Sequence, residues 1–200
     1  MRIIDEEKTA LRKVFKNRRA VLSAYDVKEK SQRINQNFIK NLLPKIYKKN
    51  SDKVFSLYLH SGNEVTTSLI AQHFFEKQIK FSYPKIIAKD HPLDFIQATK
   101  DMAFEPNNFY PKILEPISGE KIFPDFIILP LLAFDSDLSR LGMGGGFFDR
   151  TINYLKSEKP EIFVIGLAYD AQRADEKLPI ENTDQRLDFI VTEEKIFSAT

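Results

Sequence analysis

Short apolar strands alternating with helical segments predict an α/β layered fold around a mostly parallel central sheet. Phe126–Leu129 (FIIL) and Ile162–Ala168 (IFVIGLA) are strand-length apolar runs, the pattern of strands covered on both faces. Around them, apolar residues recur at helical spacing. No linker, repeat or low-complexity segment interrupts the 200 residues, so one domain over residues 1–200 is expected.

From the N-terminal end, Asp5 to Leu22 reads as an amphipathic helix with Leu11, Val14, Phe15, Arg18 and Leu22 on one face. Ser23-Ala-Tyr-Asp26 reads as a capping box opening a second helix. Its Ile34, Phe38, Leu42 and Ile46 recur every four residues, and Pro44 is expected to kink or end it. Val54–Leu59 is strand-like, Ser61-Gly-Asn63 is a turn signal, and helix is expected from Thr66 to Lys77. Ile79–Tyr83 reads as a strand stopped by Pro84, and Leu93–Ala98 as another. Pro84, Pro92, Pro106, Pro111, Pro116 and Pro124 predict an irregular, loop-rich middle of the kind that carries function. After FIIL come a loop, a glycine cluster, a helix from Phe147 to Lys156, the IFVIGLA strand and a last strand at Leu187–Thr192.

Composition narrows the chemistry. The chain has no cysteine, which excludes disulfides, thiolate metal sites and a cysteine nucleophile. His60, His73 and His91 are its three histidines, and none is three or four residues from another, which argues against a helical histidine metal site. A net charge of +2 with interspersed signs gives no case for a nucleic-acid partner. No stretch approaches the ~20 apolar residues of a membrane span. The first residues are charged with no apolar signal core, so a cytoplasmic location is expected.

The segment richest in chemistry is Arg140-Leu141-Gly142-Met143-Gly144-Gly145-Gly146-Phe147-Phe148-Asp149-Arg150, where four of the seven glycines fall within five residues. Between a strand and a helix, their backbone N–H groups can form an anion-binding nest backed by the helix dipole. The competing reading is a flexible loop without a ligand; the motif is neither a Walker A loop nor a clean Rossmann fingerprint. Asp149 would fall in the first turn beside any bound phosphate. Two like charges ~4 Å apart repel by about 4 kcal/mol at an effective dielectric near 20, so a divalent cation such as Mg²⁺ between them is one reading and simple helix capping the other. Lys8 and Arg12, at i and i+4 with Lys16 beyond, could grip a polyphosphate or form a solvated basic face. Glu64 follows a strand where open α/β sheets bind ligands, and is otherwise a surface loop acid. Asp184, before the last strand, is a second metal-ligand candidate or a turn residue. His60 could touch a substrate, whereas His73 reads as packed or exposed and His91 as a loop residue.

With these residues in place, the chain resembles the 5-formyltetrahydrofolate cyclo-ligase family over nearly its whole length. The matching segments are the helix with Lys8, Arg12 and Arg19; Ser61-Gly-Asn-Glu64-Val-Thr-Thr; Tyr83-Pro-Lys85; and Ile113-Leu-Glu115-Pro116. They continue through Phe134-Asp135 to Arg150, then Gly166-Leu-Ala-Tyr-Asp170-Ala-Gln172, Leu178-Pro179, Asp184 and Ile190-Val-Thr-Glu193. The resemblance implies a three-layer sandwich similar to the ribose-phosphate isomerase and CoA-transferase-like group. It implies ATP- and Mg²⁺-dependent conversion of 5-formyltetrahydrofolate to 5,10-methenyltetrahydrofolate, with ADP and phosphate released. A monomer with no nucleic-acid or membrane partner is expected. Lys8, Arg12, Arg140 and residues Leu141 to Phe148 would hold ATP, with Arg140 and Asp149 catalytic. Asp149 and Asp184 would bind Mg²⁺, while Arg12, Ser61, Glu64, Gly145, Phe147 and Phe148 would contact the folate; Asp135 and Asp170 stay open as further metal ligands. The chain departs from the family where Phe147 and Phe148 replace tyrosines, Leu131-Leu132 replaces a glycine-containing pair, and Leu138 and Lys112 replace glycines. These departures leave open a slower enzyme, an altered folate specificity, or a non-catalytic relative that binds folate or nucleotide. A sugar-phosphate isomerase would leave Lys8 and Arg12 without a task.

Overall fold

The computed structural model describes residues 2–49 and 51–198. Helix α1 runs Arg2–Ala20 and α2 Ala24–Asn37. The capping box is formed: the Asp26 N–H donates to Ser23 Oγ at 3.1 Å, and the Ser23 N–H donates to Asp26 Oδ2 at 3.0 Å. Pro44 neither ends nor breaks the helical path. A π-turn at Phe38–Leu42 leads into the short helix α3, Leu43–Ile46, where Pro44 occupies the first turn and its missing N–H costs nothing.

A seven-stranded sheet runs in the order β11-β10-β9-β6-β1-β2-β3. Its strands are β1 Phe55–Ser56, β2 Phe81–Lys85, β3 Asp94–Gln97, β6 Phe126–Pro130, β9 Phe163–Leu167, β10 Phe189–Val191 and β11 Ile196–Ser198. The five central strands are parallel, and β3 and β11 close the two edges antiparallel. The pleat of β6 shows why its sequence is apolar throughout. Phe126 and Ile128 join Ile34, Phe38, Ile70 and Phe74 on the face covered by α2 and α4 (Ser68–Lys77). Ile127 and Leu129 join Ile152 and Leu155 of α5 (Phe147–Glu158) on the other. Helix, sheet and helix thus form the three layers.

Four expectations are corrected. β2 starts two residues later than predicted and passes through Pro84, because β1 pairs it only at Phe81 and Ser82, so no ladder partner on that side needs the Pro84 N–H. β1 is shorter than its apolar run. The proline-rich middle carries a hairpin, β4 Phe104–Pro106 with β5 Leu114–Pro116. Leu187–Thr192 is not the last strand: β11 comes after it and pairs with β10.

A second hairpin, β7 Ala133–Phe134 with β8 Arg140–Leu141, presents Arg140. Its turn contains Leu138 at φ +59°, a conformation that strains any side chain with a Cβ, although Leu138 is only 3% exposed and packs in the core. Strain and burial oppose each other there. Leu138→Ala is expected to lose about 2–4 kcal/mol of stability in urea unfolding, and Leu138→Gly to be about 1 kcal/mol more stable than the alanine variant, the reverse of the usual order. A glycine variant less stable than the alanine one would remove the strain argument.

Candidate active site

Along the sheet, the chain moves from β1 to β2 in one direction and from β6 to β9 in the other. The crevice between β1 and β6 is therefore the switch point where open α/β sheets leave room for a ligand. A cavity of about 590 Å³ opens there. Tyr58, Leu59, Ser61 and Glu64 enter it from beyond β1, Pro84 from β2 and Ile86 just after it, and Pro130 from β6 and Leu131 just after it. One wall is apolar, built by Ile86, Leu93, Ile113 and Leu114. Another is Arg140 through Arg150, and α1 brings Asp5, Lys8 and Arg12 across the opening.

The glycine loop needs its glycines. Gly144 has φ +100°, and Gly146 caps the twelve-residue helix α5 at φ +65°, with Arg150 Nη1 only 2.6 Å from where a Cβ on Gly146 would stand, so both backbone conformation and packing favour glycine there. Arg12 lies across the loop: its Nε donates to the Gly142 carbonyl at 3.1 Å, and a Cβ on Gly144 would stand 3.3 Å from its Cζ. Arg150 braces the far side, donating to the carbonyls of Gly145 (2.9 Å) and Lys89 (2.7 Å) and lying 5.1 Å above the Phe147 ring. Phe147 also meets Tyr110 edge-to-face at 5.7 Å, so its aromatic packing does not depend on a hydroxyl.

The charged groups are pre-paired. Arg140 Nη2 donates to Asp149 Oδ1 at 2.6 Å, and its Nη1 donates to the Gln185 carbonyl. With the Arg140 side chain 5% exposed, burial pushes its pKa down and the charges of Asp149 and Asp184 oppose that shift. Lys8 Nζ donates to Glu181 Oε2 at 2.7 Å and Asp184 Oδ2 at 2.6 Å. Burial disfavours the Lys8 ammonium, but these two carboxylates more than compensate and raise its pKa. Lys8 is therefore not an open cation waiting for phosphate; two of its three N–H groups are already held.

The two acids expected to bind metal share a useful asymmetry. Asp149 accepts on Oδ1 from Arg140 and from the Gln185 N–H (3.1 Å). Asp184 accepts on Oδ2 from Lys8 and from the Glu181 N–H (2.7 Å). Among the described residues, Asp149 Oδ2 and Asp184 Oδ1 accept no protein hydrogen bond. Nor, among them, does any group of three or more His, Asp or Glu residues form a metal cage. Two single carboxylate oxygens suit a hard cation that keeps waters or takes further oxygens from a ligand.

Asp135 and Asp170 lie outside the cavity lining. Asp135 instead accepts three backbone N–H bonds, and the Asp170 N–H donates to Glu193. His60 is exposed and also outside it. Three lining acids, Asp5, Glu115 and Glu181, have no functional expectation from sequence. Glu181 sits in a turn with Asp184, and Glu115 accepts from the Ile86 N–H (3.0 Å) and Asn107 Nδ2 (2.8 Å), bracing the apolar wall. None of the three carries a spacing signal for a ligand.

With this geometry established, comparison decides the family. The profile of the 5-formyltetrahydrofolate cyclo-ligase family matches residues 4–193. The chain belongs to the 5-formyltetrahydrofolate cyclo-ligase family. It is 32% identical over 192 residues to the 5-formyltetrahydrofolate cyclo-ligase of Mycoplasma pneumoniae, covering 94% of this chain and 99% of that one. Its identity to the enzyme of that name from Haemophilus influenzae is 31%, over 88% and 90% of the two chains. Among solved structures, 5,10-methenyltetrahydrofolate synthetase of Aquifex aeolicus superposes with a TM-score of 0.78 at 28% identity, over 96% of this chain and 92% of that chain. The M. pneumoniae 5,10-methenyltetrahydrofolate synthetase superposes with a TM-score of 0.70 at 30% identity, over 94% and 99%. As a cyclo-ligase family member, the chain is a ligase of folate one-carbon metabolism.

Proposed function

We propose that this cavity converts 5-formyltetrahydrofolate to 5,10-methenyltetrahydrofolate at the expense of ATP. The carrying observation is the convergence of Arg12, Arg140 and the glycine-rich start of α5 on one side of a cavity that also has an apolar wall. In this reading the polyphosphate lies on the glycine loop and the pterin lies against Ile86, Leu93 and Ile113. The formyl oxygen attacks the γ-phosphorus and ADP leaves. N10 then attacks the activated formyl carbon, loses its proton, and phosphate departs with the original formyl oxygen.

Phosphoryl transfer of this kind needs positioning and charge neutralisation more than a protein nucleophile, which suits a chain without cysteine. The Gly144–Phe148 backbone and the Nη groups of Arg12 orient the phosphates. Arg140 is held rigid by Asp149 and Gln185, so it is in place before charge develops. Lys8 has one N–H remaining for a phosphate oxygen. Ser61 and Glu64 face the folate, and Phe147 and Phe148 flank it.

The lining holds six acids against four bases. A nucleotide polyanion entering such a site needs a cation with it, and Asp149 Oδ2 with Asp184 Oδ1 would hold Mg²⁺ there. Bound Mg²⁺ would neutralise charge on the phosphate oxygens. A single-domain, monomeric, cytoplasmic enzyme is the accompanying proposal; among the described residues no helix is long and apolar enough to cross a membrane.

The test is an absorbance assay for the methenyl product with purified protein, 5-formyltetrahydrofolate, ATP and Mg²⁺. Product formation that stops when ATP is omitted is the expected result. Binding of ATP or folate without product would instead identify a silent relative.

A further inference from the structure

Glu64 reaches the cavity from a loop anchored on the far end of α1. Asn63 Nδ2 donates to the carbonyls of Arg19 (3.3 Å) and Leu22 (3.1 Å), pinning the loop to the helix terminus. The two Glu64 oxygens then have separate partners. The Ser61 N–H donates to Oε2 at 2.9 Å, and Arg19 Nη1 stands 3.6 Å from Oε1. Both side chains are nearly enclosed, Arg19 at 12% exposure and Glu64 at 11%. Arg19 does not line the cavity, so it reaches a ligand only through Glu64.

We propose that Arg19 is a positioning residue that keeps Glu64 a carboxylate aimed at the folate and so sets the acid limit of folate binding. The inference rests on the folate reading given above. A reduced pterin presents N–H donors along one edge, so its partner must be an acceptor. A protonated Glu64 would meet those donors with one of its own.

The groups around Glu64 leave this task to Arg19. Burial pushes the Glu64 carboxyl above the usual carboxylate range; the Ser61 N–H, Arg19 and His60 oppose it in that order. The Ser61 N–H comes from the loop itself and carries no net charge. His60 is exposed, so water and salt screen it. Tyr58, beyond β1, and Tyr169, before the 3₁₀ turn at Asp170–Gln172, face the same carboxylate, and burial raises both phenol pKa values, so both stay neutral across the working range. Arg19 is the remaining enclosed charge in contact. Removing it raises the Glu64 pKa further, so the carboxylate fraction falls at acidic pH and recovers as pH rises.

The experiment compares wild type with Arg19→Met, which keeps the aliphatic stem, and Arg19→Lys, which keeps the charge. The Glu64 carboxyl is followed by ¹³C NMR titration, assigned with Glu64→Gln, and 5-formyltetrahydrofolate affinity is measured at pH 6 and pH 8. Glu64 is expected to titrate at higher pH in Arg19→Met and to return toward the wild-type value in Arg19→Lys. The folate Kd of Arg19→Met should rise about tenfold at pH 6 and change little at pH 8. An unmoved Glu64 titration in Arg19→Met overturns the proposal. So does a shifted titration with unchanged folate affinity at pH 6. A shifted titration in a protein that never binds folate supports the hold of Arg19 on Glu64 and sinks the folate reading instead.

Discussion

Asp149→Ala is expected to lower ATP-dependent ring closure by about 10³-fold or more, the scale of losing a charge-organising group in phosphoryl transfer. Two roles fall together. The free Oδ2 that would hold Mg²⁺ disappears, and Arg140 loses the carboxylate that fixes its direction. Breaking a fully buried ion pair costs about 3–5 kcal/mol. Asp149 is 30% exposed, so water softens the loss and about 2 kcal/mol of stability is expected. Asp149→Asn separates the two roles. Its side-chain oxygen can still accept from Arg140 and the Gln185 N–H, so melting should stay near wild type. The charge is gone, so the rate should still collapse and its Mg²⁺ dependence weaken. Initial rates against Mg²⁺ at fixed ATP, with thermal melts alongside, check this. A wild-type rate in the asparagine variant would remove Asp149 from the chemistry.

Asp135→Ala is expected to be the most damaging change outside the cavity, costing about 4 kcal/mol in urea unfolding. Asp135 is 2% exposed. Its Oδ1 accepts from the N–H groups of Asp137 and Ser139, both at 2.9 Å, and its Oδ2 from the Leu178 N–H at 2.9 Å. Truncation strands three backbone donors, each worth about 1–3 kcal/mol when buried and unpaired. The bonds tie the β7–β8 turn to the segment before Glu181 and Asp184, so Arg140 and those acids should lose their alignment as well. Asp135→Asn keeps the Oδ1 bonds but turns an N–H toward the Leu178 N–H, and about half the loss is expected. A stability within 1 kcal/mol of wild type for the alanine variant would contradict this account.

The layers of the fold were legible because burial on two faces demands continuous apolar strands, as in Phe126–Leu129, and burial on one demands helical periodicity. The glycine cluster was legible because Gly144 and Gly146 carry positive φ at a helix start, which few other residues tolerate. Strand ends were less so. β1 keeps only two paired residues of an apolar run, and Pro84 sits inside β2, because pairing depends on which neighbour is present rather than on composition. β11 is short and at an edge, and its three residues carry too little pattern to stand out.

The cavity's charges divide in the same way. Sequence alone determined which residue types lie near the glycine loop, and that Asp149 falls in the first turn of α5, since both follow from spacing along one helix or loop. Tertiary structure alone decided that Lys8 is tied to Glu181 and Asp184 across more than 170 residues, that Arg140 is locked by Asp149 and Gln185, and that Arg19 stands against Glu64. Local periodicity fixes neighbours within a turn of helix or a pair of strands. Which distant charges meet is set by how the layers pack, and a buried charge takes whatever partner that packing brings to it.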